Sequence, residues 1–163
     1  MLAEQNRVLI IDDDANLRTL LKLLFEHEGF DVLLASDGEV GLRLAEVSHP
    51  DVIMLDIAMP RRSGLDVYLD LQNTPATADI PILVCSAALS RTEEQRWYSL
   101  PNILQVTPKP FDINALIARI GQICQPDQTI HRLFCIHLKR KGRGFTSRRI
   151  WFLFPQTHHW IET

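Results

Sequence analysis

Cysteine is scarce in this sequence, and what there is of it has no ligand pattern. Cys85, Cys124 and Cys135 form no Cys-x-x-Cys pair and no Cys/His cluster with metal-ligand spacing. An odd count without a secretory leader suits a reducing compartment and argues against a disulfide framework. The segment Met1–Arg7 has no basic stretch followed by an apolar core, so no such leader is visible. Long apolar runs are missing as well. None approaches the roughly 20 residues that a membrane-spanning helix needs, so no membrane insertion is expected and a cytoplasmic protein is the default. Low-complexity segments are also absent, as is any internal repeat beyond an alternation of apolar runs and helical stretches. Positive charge is short in the first 126 residues, where ten Lys/Arg face eighteen Asp/Glu; residues 127–163 reverse this with seven against two. The net charge of −3 therefore hides an acidic body and a basic tail, whose partners must be argued separately.

What is present is an ordinary globular composition, 46% hydrophobic and 23% charged, in 163 residues. That suffices to bury a core in one domain. Short aliphatic runs recur at Val8–Ile11, Asp31–Ala35, Asp51–Leu55, Ile80–Cys85 and Asn102–Val106. Such runs read as buried strands. Helical spacing lies between them. Leu17, Leu20, Leu21 and Leu24 follow the cap Asp14, and Gly29 ends that helix; Val40, Leu44 and Val47 mark the inward face of a second helix over Gly38–Ser48. A third helix covers Leu65–Gln72, a fourth, with a thin apolar face, Thr92–Ser99. The last starts at the cap Asp112 and carries Leu116, Ile117, Ile120 and Ile123. Strands alternating with helices imply an α/β fold, a parallel sheet covered on both faces.

The polar residues at the strand ends carry the functional signal. Asp12 and Asp13 follow the first run, Asp56 the third, Ser86 the fourth, and Lys109 stands three residues past Val106. In an open α/β sheet, ligands bind beyond the carboxyl ends of the strands. Three acids, a hydroxyl and an ammonium would meet there, a set that binds a divalent metal and a phosphoryl group. A small hard cation such as magnesium takes carboxylates together with water and phosphate oxygens. Asp12, Asp13 and Asp56 could supply the carboxylates, and crowded acids call for a cation to neutralise them. A carboxylate can also attack phosphorus, and Asp56, alone at the end of the middle run, is the best candidate. Taken singly, each residue has a plainer reading: Asp13 and Asp14 as N-capping acids, Asp56 as a turn former, Ser86 and Lys109 as solvated polar groups. Their joint placement is what the plain readings fail to explain.

Val8–Asp14, Pro50–Gly64, Ile82–Ala87 and Lys109-Pro110-Phe111, in that order, resemble the receiver domain of two-component response regulators. The resemblance covers about residues 6–124. It implies a flavodoxin-like, doubly wound sheet of five parallel strands ordered 2-1-3-4-5 with five helices. It makes residues 1–124 the receiver domain and 125–163 a basic extension of unknown structure. It implies that Asp56 accepts a phosphoryl group from a sensor histidine kinase or a phosphotransfer protein. On the same likeness Asp13 ligates magnesium or manganese directly, Asp12 acts largely through water, and the backbone carbonyl of Ala58 completes the metal shell. Ser86 is the switch hydroxyl, Lys109 its ion-pair partner, and Lys109–Pro110 a cis peptide.

Some positions depart from the family pattern. Val106 stands where an aromatic residue commonly swings inward, Arg61-Arg62-Ser63 precedes Gly64, and Ala58 and Ala88 lack polar side chains that tune phosphoryl loss. Val106 and the altered loop support an alternative, a receiver-like module that docks without phosphorylation. A phosphatase with Asp56 as nucleophile is disfavoured, because Ala58 stands where such enzymes carry a second acid. The tail reads as two short strands, Leu133–Leu138 and Ile150–Phe154, around the basic turn Lys139–Gly144. Its Lys/Arg interleave with Phe145, Trp151 and Phe152, but it is too short for an ordinary helix-turn-helix domain. Nucleic-acid binding is therefore the lesser reading of the tail, behind an extension that docks on the receiver, joins a homodimer contact or is partly disordered. The partner expected of the switch is a downstream protein target.

Overall fold

A computed structural model describes residues 5–124 other than Arg61 and Ala88, all within the unit Met1–Gln125. The expected strands and turn of the tail, and Arg61 and Ala88, lie outside the described residues. In chain order the elements are β1 (Arg7–Ile11), α1 (Ala15–His27), β2 (Asp31–Ala35), α2 (Gly38–Ser48), β3 (Val52–Asp56), α3 (Gly64–Asn73), β4 (Ile82–Ser86), α4 (Arg91–Tyr98), β5 (Ile103–Pro108) and α5 (Ile113–Cys124). The strands form one parallel sheet in the order β2-β1-β3-β4-β5. The fold is the flavodoxin-like one that the sequence led us to expect.

Alternation along each strand divides the core in two. Leu9, Ile11, Ile53, Leu55, Ile82 and Val84 face one side, where they meet Ala45 of α2, Val67 and Leu71 of α3 and Trp97 of α4. Val8, Ile10, Val52, Met54, Leu83 and Cys85 face the other, against Leu21 and Phe25 of α1 and Leu116, Ile120 and Ile123 of α5. Both β3 and β4 are buried along their whole length, as strands covered on both faces must be. Local capping agrees with the elements. Asp14, Asp37 and Asp112 accept from the first amides of α1, α2 and α5, Ser63 and Ser90 form capping boxes, and Gly29 leaves α1 at φ +87.

Two helix faces differ from expectation. In α2 the fully buried residues are Gly38, Gly41 and Ala45; Val40 and Leu44 pack half-buried against the core as expected, while Val47 is 80% exposed. The helix lies too close for larger side chains: a Cβ on Gly41 would stand 2.5 Å from Cδ1 of Ile11. In α1 the buried positions are Leu21 and Phe25, and Leu20 turns outward. Phe25 earns its place by packing edge-to-face on Phe30, ring centroids 5.7 Å apart. The fourth strand starts at Ile82 rather than Ile80, after Pro81, whose carbonyl accepts from Ile53 N–H. β5 runs on to Pro108, which an edge strand tolerates.

The amino ends of the strands are tied together by Arg7. Its Nε donates to Asp31 at 2.6 Å and its Nη1 to the Ser48 carbonyl at 2.8 Å, while its backbone N–H donates to Asp51. The candidate site lies at the opposite end.

Candidate functional site

Parallel strands end on one side of the sheet, so the groups that follow them share a pocket. Asp12 leaves β1 at 1% exposure; Asp56 and Ser86, the last residues of β3 and β4, are 4% and 2% exposed. Lys109 follows β5 directly. Carboxylate oxygens of Asp12, Asp13 and Asp56 lie within 4.8 Å of one another. Lys109 Nζ donates to Oδ2 of Asp12 and to Oδ2 of Asp56, 2.7 Å each. Its backbone N–H donates to the Ser86 carbonyl at 2.7 Å, and the Lys109–Pro110 peptide is cis. The five side chains singled out in the sequence thus stand at one end of the sheet.

The acids are not equivalent. Asp14 is the α1 cap, Asp13 is exposed, and Asp12 is buried with Oδ1 accepting from the Asp14 amide at 2.9 Å. The capping reading therefore holds for Asp14 and not for Asp13. Asp56 Oδ1 accepts from the Ala58 amide at 3.0 Å. Burial pushes the Asp12 carboxyl above the ordinary range, against the Lys109 and Asp14 hydrogen bonds. Burial also pulls the Lys109 ammonium down, but hydrogen bonds and charge attraction from Asp12 and Asp56 outweigh it and raise the pKa. Three acids facing one ammonium leave excess negative charge. The donor set is all oxygen, which fits a small hard cation such as magnesium or manganese.

Sequence reasoning missed several supports. Arg18 Nη1 donates to the Asp12 carbonyl at 2.6 Å, holding the acid loop from α1. Gly64 N–H donates to the Ile57 carbonyl at 3.0 Å, and a Cβ at Gly64 would collide with the Asp56 carbonyl and lie 2.7 Å from Ile57 Cα. Tyr98 Oη meets the backbone N–H and carbonyl of Val106, which is itself core, 6% exposed. Only Gly64 left a trace in the sequence, as the residue closing the loop after Asp56.

Cys85 sits beside Ser86 but is wholly buried, and burial pushes its thiol up to about 12. A thiol so rarely ionised is a poor nucleophile. The native protein treated with iodoacetamide near neutral pH is expected to leave Cys85 unmodified until denatured, as peptide mass mapping would show.

Residues 8–121 match the response regulator receiver domain family. Over 118 residues the chain is 38% identical to the transcriptional regulatory protein CpxR of Klebsiella pneumoniae, covering 72% of this chain and 49% of that protein. It is 37% identical over 114 residues to the DNA-binding dual master transcriptional regulator RpaA of Synechocystis, covering 70% and 47%. The chain spans about half the length of these curated relatives. Among solved structures, a Francisella response regulator receiver domain superposes with a TM-score of 0.67 at 28% identity, covering 73% of this chain and 96% of that one. Among the described residues no helix is long and apolar enough to cross a membrane.

Proposed function

This chain belongs to the response regulator receiver domain family, and from that premise we propose that it is a phosphorylation-switched signalling protein with Asp56 as phosphoacceptor. The carrying observation is the pair of 2.7 Å bonds from Lys109 to Asp12 and Asp56, which joins three strand ends into one charged pocket. A sensor histidine kinase or phosphotransfer protein docks near α1 and presents phosphohistidine. An Asp56 oxygen attacks phosphorus in line, the phosphorus–nitrogen bond breaks, and an aspartyl phosphate forms.

Each neighbour has a part in this. Ala58 N–H and Lys109 hold the two Asp56 oxygens apart and orient them. Lys109 then balances charge on the phosphoryl oxygens, and the Ser86 hydroxyl donates to one of them. Asp12, Asp13, Asp56 and the Ala58 carbonyl would hold magnesium or manganese. The metal, when bound, would neutralise phosphoryl charge. Any chemistry is self-directed: the phosphoryl group is taken up and later lost to water.

The test uses the full chain, magnesium and a small phosphodonor such as acetyl phosphate. Intact mass is expected to show one added phosphoryl group, peptide mapping to place it on Asp56, and a chelator to prevent it. Label on another residue, or none, overturns the assignment.

Val106 favours a second reading, docking without phosphorylation, since a valine has no ring to swing. A docking module need not bind magnesium, so titration separates the two. The output is a downstream protein contact, with a homodimer among the forms it could take. The relatives CpxR and RpaA are named as transcriptional regulators, which speaks for transcriptional output. Nucleic-acid contact by the basic tail is the alternative, and it would weaken steeply with salt.

A further inference from the structure

β5 is an edge strand, and the outer side of an edge strand leaves backbone groups to be satisfied. At Val106 both are met by one side chain from another element. Val106 N–H donates to Tyr98 Oη at 3.2 Å, and Tyr98 O–H donates to the Val106 carbonyl at 3.4 Å. A phenol is both donor and acceptor, so it can close on the two groups of one residue. Tyr98 is the last residue of α4 and 47% exposed.

The connections on either side of this contact lead to the pocket. Ser90, four residues past Ser86, caps α4 through a reciprocal box with Glu93 (Ser90 Oγ to Glu93 Oε2, 2.6 Å). The helix is therefore firm from its first turn and follows any pull on the short stretch after Ser86. Three residues beyond Val106 stands Lys109. The contact joins the helix after one pocket group to the strand before another.

α4 has a second attachment of different character. Trp97, 6% exposed, packs edge-to-face on Tyr68 with centroids 5.8 Å apart. Apolar packing is non-directional and tolerates a small slide. The two Tyr98 bonds are directional, long and only part-buried, so they yield first.

We propose that Tyr98 is a positioning residue whose hydroxyl clips α4 to the edge of β5 while Asp56 is unmodified, and that phosphorylation of Asp56 releases the clip. This rests on the phosphoacceptor reading. Engagement of the phosphoryl group by Ser86 draws in the chain leading to α4; the helix shifts on its Trp97 contact, and Tyr98 leaves Val106.

The test follows the Val106 amide by hydrogen-exchange NMR in the full chain, with magnesium and beryllofluoride as the phosphoryl mimic, in wild type and Tyr98→Phe. Fluorine NMR reports independently whether the mimic is bound. Expected are protection in the wild type, exchange about fivefold faster once the mimic binds, and exchange already fast in Tyr98→Phe with no further response. Bound mimic with unchanged Val106 exchange overturns this inference alone. Failure of the mimic to bind overturns the phosphoacceptor reading and the clip with it. Equal protection in Tyr98→Phe shows that the hydroxyl holds nothing and also overturns the clip.

Discussion

Lys109→Ala is expected to destabilise the metal-free protein by about 3 kcal/mol and to slow phosphotransfer to Asp56 about 100-fold. Lys109 is the single cation bonded to both buried carboxylates among the described residues, and its loss leaves Asp12 and Asp56 facing each other unneutralised. Magnesium should restore more stability to the variant than to the wild type, because it supplies the missing charge. Denaturant melts with and without magnesium measure the first effect, intact-mass time courses the second. A variant as stable as wild type without metal would show that the ammonium neutralises nothing there. Because the folded Lys109 pKa is raised, its contribution is complete below the ordinary lysine range and is lost as pH climbs through the raised value. The gap between variant and wild type should therefore hold constant between about pH 7 and 9.

Gly64→Val is the second large effect, and it acts through backbone. A side chain at Gly64 meets the Asp56 carbonyl and Ile57 Cα rather than the yielding tip of another side chain. The loop after Asp56 must move, breaking the Gly64–Ile57 hydrogen bond and displacing the acid. Overpacking of this kind costs about 1–3 kcal/mol. Misplacing a reacting group by about 1 Å costs on the order of 100-fold in rate. We therefore expect a modest loss of stability with a disproportionate loss of labelling. A folded variant labelled at the wild-type rate would show that the loop does not position Asp56. The contrast with Gly41 is instructive. There the obstacle is the side chain of Ile11, so substitution should damage stability and spare the rate.

Asp12, Asp13, Asp56, Ser86 and Lys109 were legible in the sequence for a geometric reason. Parallel strands all finish at one edge, so a polar residue after each aliphatic run marks the same place without any knowledge of contacts. Helix faces were less legible. Periodicity weighs apolar size, and it chose Val47 and Leu20. The buried places went instead to Phe25 and to Gly38 and Gly41, which approach Val67 of α3 and Ile11 of β1 too closely for a side chain, a distance that periodicity does not record. Arg18 and Tyr98 were not legible at all. Each bonds to a backbone group far from its own element's apolar pattern, and side chain to backbone contacts across elements leave no spacing to read.

The anchorage of Arg7 to Asp31, Ser48 and Asp51 sits at the far pole from the acids. Foldedness and responsiveness are thereby housed apart, like a handle and its interchangeable heads. Loops grafted from a relative onto the acidic pole would bring that relative's selectivity, while the melting behaviour of the chimaera stayed with the handle.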